Sequence, residues 1–96
     1  MNIAELVRSR RELILQIAAR YGARNVRIFG SVVRGQARAD SDVDLLVALG
    51  PGRSLLDQIG LEQELQTALG CRVEVVVEGG ISPYLEAQIQ AEAKPL

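Results

Sequence analysis

Histidine is absent from this 96-residue sequence, and cysteine occurs once, at Cys71. Without histidine there is no Ser-His-Asp triad, no imidazole general base and no His-ligated zinc. Carboxylates acting with a hard metal ion are the chemistry left open to an enzyme. The lone thiol excludes an internal disulfide and a cysteine-rich zinc site, and it fits a reducing compartment. Only Arg72 stands beside it to activate a thiolate, so Cys71 reads as a small packing residue, as do Tyr21 and Tyr84. No apolar run approaches the ~20 residues needed to cross a membrane, and the chain starts with a polar, charged helix pattern instead of a signal-peptide core. The expected location is the cytoplasm. Charge is equally sparse in information: 11 basic and 12 acidic residues leave a net charge of -1 and no strong basic patch, so direct nucleic-acid binding is not expected.

What the sequence does contain is the composition of a packed globule, 48% hydrophobic and 24% charged. Ninety-six residues suffice for one domain, spanning 1–96, but not for a second one that would cradle an acceptor. An enzyme of this size needs its acceptor pocket completed by a partner.

The spacing of Ile3, Leu6, Val7, Leu13, Ile14, Ile17, Ala18 and Tyr21 predicts one amphipathic helix over 3–21, with Asn2 as N-cap and Gly22 as stop. Asn25–Phe29 alternates like a half-buried strand and ends at Gly30. Ser31–Arg34 reads as a short helical turn and Gly35–Ser41 as a polar loop. The near-continuous apolar run Val43–Leu49 predicts a central strand buried on both faces. Gly50-Pro51-Gly52-Arg53-Ser54 lacks the residues of a P-loop and is a turn, with Ser54 capping a helix that stops at Gly70. Leucines cover more than half of that helix's circumference, which implies surplus apolar surface for another partner. Arg72–Val77 is a third strand, and Ser82-Pro83 opens a last helix carrying Leu85, Ile89 and Ala93. This order predicts a two-layer α/β (α+β) fold around a small mixed sheet of about three strands.

Between Gly30 and Asp44 the chemistry is concentrated. Residues two apart on a strand share a face, so Asp42 and Asp44 project together while Val43 faces the opposite layer. Two adjacent carboxylates repel each other unless a cation joins them, and magnesium takes one or two carboxylates and completes its shell with water and phosphate oxygens. With two ions, one holds a triphosphate and the other activates an incoming hydroxyl. Gly30 leaves the backbone open to an anion, and the turn opened by Ser31 presents free N–H groups and a hydroxyl. Arg34, one turn on, either reaches the same phosphates or clamps the Asp-bearing strand. Glu74, the strand carboxylate outside Asp42 and Asp44, lies on the Asp face if strand three pairs beside strand two. Neither Gly-Ser nor Asp-X-Asp is specific alone; a Gly-Ser closing one strand, ten residues, and an Asp-X-Asp opening the next is far more so.

That pattern resembles the polymerase-β-like nucleotidyltransferase superfamily. The string Phe29-Gly30-Ser31-Val32-Val33-Arg34-Gly35, the segment Ser41-Asp42-Val43-Asp44-Leu45-Leu46-Val47, the first helix and the closing Glu92-Ala93-Lys94-Pro95-Leu96 are similar to its minimal nucleotidyltransferase branch. The resemblance implies an antitoxin that binds a helical HEPN ribonuclease toxin and adenylylates it on a tyrosine, using ATP and two Mg2+ ions. By position, Gly30 and Ser31 would hold the triphosphate, and Asp42 and Asp44 the metal. Glu74 would stand where the family commonly has aspartate, one methylene longer, and a displacement of that order at a reacting centre can cost ~10²-fold in rate. Two other functions are compatible with these residues. One is an antitoxin that neutralises its partner by contact alone. The other is a transferase acting on a small hydroxylated molecule, its acceptor site completed by a partner or a homodimer.

Overall fold

The computed structural model describes residues 2–38 and 40–96. Helices α1 (Ile3–Ser9) and α2 (Arg11–Arg20) lead into strand β1 (Ala23–Phe29), a tight helical turn (Gly30–Val32) and strand β2 (Val43–Leu49). Helix α3 (Leu55–Leu69), strand β3 (Val73–Val77), helix α4 (Pro83–Glu92) and strand β4 (Lys94–Pro95) follow. The sheet order is β3-β2-β1-β4, with β2 antiparallel to β1 and parallel to β3.

Where the sequence predicts one helix over 3–21, two are found, meeting at Arg10 (φ -108°, ψ 13°). The reason is visible in the spacing. A straight helix would bring Arg10 or Arg11 onto the buried face below Val7, three and four residues on. The break keeps both arginines exposed while Ile3, Val7, Ile14 and Ile17 share one core. Ser9 Oγ donates to the Leu6 carbonyl (2.9 Å), a back-bond that favours bending. The other helix ends follow their chemistry. The Asn2 side chain accepts from Glu5 N–H, and Ser54 with Asp57 forms a capping box. Gly70 (φ +69°) ends α3, and Ser82 precedes Pro83 at the start of α4.

Strand β2 runs inside the sheet, as its unbroken apolar run requires. Val43, Leu45 and Val47 enter the main core with Ile28, Val73 and Val75, beneath Ile14 and Ile17 of α2 and Leu61 and Leu65 of α3. Leu46, fully buried, points to the other face, which α4 partly covers through Ile89. Side chains of α3 cover the open edge of β3: Gln58 Nε2 donates to the Val75 carbonyl (2.8 Å), and Glu62 Oε2 accepts from Val75 N–H (2.8 Å). An edge so occupied does not template pairing with another chain. Leu55, Leu56 and Ile59, at the start of α3, are left 66%, 79% and 43% exposed, the apolar surplus expected from the leucine count.

The sheet has four strands instead of about three. The addition, β4, pairs two residues antiparallel with β1 (Ile28↔Lys94, Arg27↔Pro95), and two residues are too few to show a strand period. Strand β1 also begins two residues before Asn25. Asn25 itself sits at φ 53°, where the β1–β2 register shifts between Arg24 and Arg27, a bulge that asparagine tolerates. No helix among the described residues is long and apolar enough to cross a membrane.

Candidate functional site

The register of the sheet sets which side chains meet. Phe29 is paired with Asp44 across the antiparallel ladder, and Asp44 with Glu74 across the parallel one. Paired residues share a face, so the end of β1, the start of β2 and the start of β3 contribute to the side away from α2 and α3. There a cleft of about 420 Å³ is walled by Gly30, Arg34, Asp44 and Glu74 from the sheet side, and by Ile89 and Glu92 from α4. The pairing of strand three beside strand two, on which the placing of Glu74 on the Asp face depends, is thus found, and it is parallel.

Gly30 is required here on two counts. Its φ is +82°, and a Cβ at this position would lie 2.2 Å from Asp44 Oδ2. The Asp44 carboxylate therefore rests directly against the backbone of the turn that follows β1. That turn is shorter than the helical stretch read over 31–34 and begins one residue earlier. Its first internal bond runs from Val33 N–H to the Gly30 carbonyl (3.1 Å), so the Ser31 and Val32 amides precede the residues it satisfies. Ser31 is half-buried and does not wall the cleft.

Burial pushes the Asp44 carboxyl up to about 6 from its ordinary 3.8, with the Glu74 and Asp42 charges adding to the rise and Arg34 opposing it. Asp42 immediately precedes β2, with the fully buried Val43 separating it from Asp44. Its Oδ1 is 3.9 Å from Arg72 Nε, a loose, solvent-exposed pair. Asp42 and Glu74 also wall a smaller recess of about 130 Å³ with Arg72, so Glu74 is the partition between the two hollows.

These residues fit a magnesium ion by their chemistry. They are hard oxygen donors, and their mutual repulsion is already registered in the displaced Asp44 pKa. Among the described residues no three acidic, cysteine or histidine side chains close into a metal cage. Magnesium does not ask for one, since it uses one or two carboxylates and completes its shell with phosphate and water.

Arg34 is held by two edges of its guanidinium. Nη1 donates to Glu92 Oε1 (2.8 Å) and Nε to Gln36 Oε1 (3.1 Å). The same Glu92 oxygen accepts the Gly30 N–H (2.7 Å). Sequence reasoning assigned Glu92 no role at this site. The available signal was an acidic residue three positions after Ile89, on the stripe that Leu85 and Ile89 turn toward the sheet.

Comparison with known proteins bears on this geometry. A sequence profile of the nucleotidyltransferase domain matches residues 10–96. The chain is 44% identical over 77 residues to the protein adenylyltransferase MntA of Thermococcus cleftensis, covering 80% of this chain and 78% of that relative. A solved structure provisionally described as a minimal nucleotidyltransferase is 52% identical, with a TM-score of 0.88 over 100% of this chain and 97% of that one. The fold is also that of a complex described as a tri-AMPylated Shewanella oneidensis HEPN toxin with its MNT antitoxin. That match has a TM-score of 0.72 at 20% identity, covering 92% of this chain and 69% of that one.

Proposed function

This chain belongs to the nucleotidyltransferase domain family, and from that premise we propose that it transfers AMP from ATP to a protein hydroxyl. The acceptor is a tyrosine of a HEPN ribonuclease toxin, which makes the chain an antitoxin. The observation that carries the reading is the meeting of Asp44 with both the Gly30 backbone and Glu74 at one cleft. A relative named as a protein adenylyltransferase and a neighbour of the same fold bound to an AMPylated HEPN toxin support the choice of AMP and of acceptor.

In this reading Gly30, Ser31 and Arg34 receive the triphosphate. Gly30 gives the phosphates room to approach, the Ser31 amide and hydroxyl donate to them, and Arg34 meets their charge. Asp42, Asp44 and Glu74 would hold Mg2+, two ions in this reading, which would neutralise the crowded carboxylates and polarise phosphate oxygens. The tyrosine oxygen forms a bond to the α-phosphorus. The bond from that phosphorus to the oxygen bridging to the β-phosphate breaks, and pyrophosphate leaves. The tyrosine proton passes to a carboxylate of the Asp42, Asp44 and Glu74 group. Glu74, which walls both hollows, orients the acceptor in this reading. Above the cleft the described residues place only α4, through Ile89 and Glu92, so in this reading the toxin supplies the acceptor side and the active species is a hetero-oligomer.

The test is the intact mass of whatever protein co-purifies with this chain or is encoded beside it, before and after incubation with this chain, Mg2+ and ATP. A gain of whole AMP units, lost with Asp42→Asn, is expected. A stable complex with no gain would replace the reading by a binding-only antitoxin. Transfer to a small hydroxylated acceptor without any protein partner would replace it by a small-molecule transferase.

A further inference from the structure

We infer that Glu92 is a positioning residue of the nucleotide site, holding the Gly30 amide and the Arg34 guanidinium in the arrangement that receives a triphosphate. The inference rests on the proposed reading of Gly30 and Arg34 as nucleotide ligands, and deepens it.

Glu92 is fixed from both sides. It is the last residue of α4, which buries Ile89 one turn earlier. Two residues later the chain joins the sheet, where Lys94 pairs with Ile28 next to the end of β1. The carboxylate is thus delivered to the turn by backbone pairing on the very strand that leads into it. One oxygen, Oε1, then takes two donors from two parts of the loop, Gly30 N–H at 2.7 Å and Arg34 Nη1 at 2.8 Å. An arginine half exposed to solvent ordinarily samples many rotamers. Here Nη1 is bound to Glu92 and Nε to Gln36, which fixes the plane of the guanidinium and leaves Nη2 as the arm available to a phosphate oxygen.

The Gly30 contact does the same for the backbone. At φ +82° this residue has more conformational freedom than any other in the turn, and the Glu92 oxygen holds its amide in one orientation. Binding to a loop already ordered loses less entropy than binding to one that must be ordered on contact. In this role Glu92 acts through Gly30 and Arg34.

The alternative use of the same contact is competition, in which Glu92 occupies donors that the triphosphate needs. The two make opposite predictions. Equilibrium binding of Mg-ATP is measured by calorimetry on the parental chain and on the Glu92→Ala and Glu92→Gln variants. Gly30 amide exchange is followed by NMR on the same proteins without nucleotide. Glutamine keeps an oxygen for the Gly30 amide but loses the charge that holds Arg34. The inference expects Kd to rise about tenfold or more in Glu92→Ala and by an intermediate factor in Glu92→Gln, with Gly30 protection lost only in the alanine variant. An unchanged or lower Kd in a folded Glu92→Gln protein, with parental binding intact, overturns the inference and leaves the nucleotidyl-transfer reading standing. Absence of Mg-ATP binding by the parental chain removes the reading, and the inference with it.

Discussion

Replacing Asp44 with Asn should make the metal-free protein more stable while removing its function. In the folded chain the carboxyl is pushed up to about 6 from 3.8, because ionising it beside Glu74 and Asp42 in a half-buried position is unfavourable. Two units at ~1.4 kcal/mol each give roughly 3 kcal/mol at full strength. Solvent reaches part of the side chain, so screening reduces this to about 1–2 kcal/mol. The direction follows from proton linkage. A carboxyl whose folded pKa lies above its unfolded value binds its proton more tightly when folded, so stability is lost as pH rises between the two values. Below about pH 4 the parental protein and the Asp44→Asn variant should be equally stable; the variant gains through about pH 6 and keeps a constant lead above it. Thermal unfolding in chelator at pH 4 and pH 7.5 measures this, with roughly 4–8 °C expected per kcal/mol for a domain of this size. Added Mg2+ should narrow the gap by stabilising only the parental chain. A variant less stable at pH 7.5, or a difference that does not change with pH, would refute the electrostatic account of the site.

Three further outcomes follow from contacts described above. Gly30→Ala, with its Cβ directed at the Asp44 carboxylate and its φ at +82°, should cost roughly 1–3 kcal/mol in urea unfolding and abolish Mg-ATP binding. Leu61→Ala, at a fully buried position of α3, should cost about 2–5 kcal/mol, read by the same assay. Leu56→Glu, at a side chain 79% exposed, should change stability by less than about 0.5 kcal/mol. If α3 carries part of the toxin interface, that variant should weaken the complex at least tenfold by calorimetry.

Features decided by neighbouring residues were legible in the sequence. The caps at Asn2, Ser54 and Ser82, the stop at Gly70, and the unbroken run of β2 each depend on a few adjacent side chains. The Gly30-Ser31 to Asp42-Val43-Asp44 segment belongs to the same class, since the two strands it joins are consecutive and antiparallel. Legibility fails where the outcome depends on distant surfaces. The helix break at Arg10 exists because the core rejects two arginines that a straight helix would present to it. The pairing of Asp44 with Glu74 needs α3 to cross over the sheet, and the spacing of charges alone does not set that register. Strand β4 and the Glu92 contact arise only when the end of the chain returns to β1, so neither leaves a periodic trace in its own residues.

That return of the chain to β1 has a consequence for synthesis. The Gly-Ser turn and both aspartates emerge from the ribosome early, within one pair of adjacent strands, whereas Glu92 and the strand that anchors it emerge after every other element described here. Because a chain folds from its amino end as it is made, β1 and β2 can pair and bring Gly30 and Asp44 together before Glu92 arrives to hold the Gly30 amide.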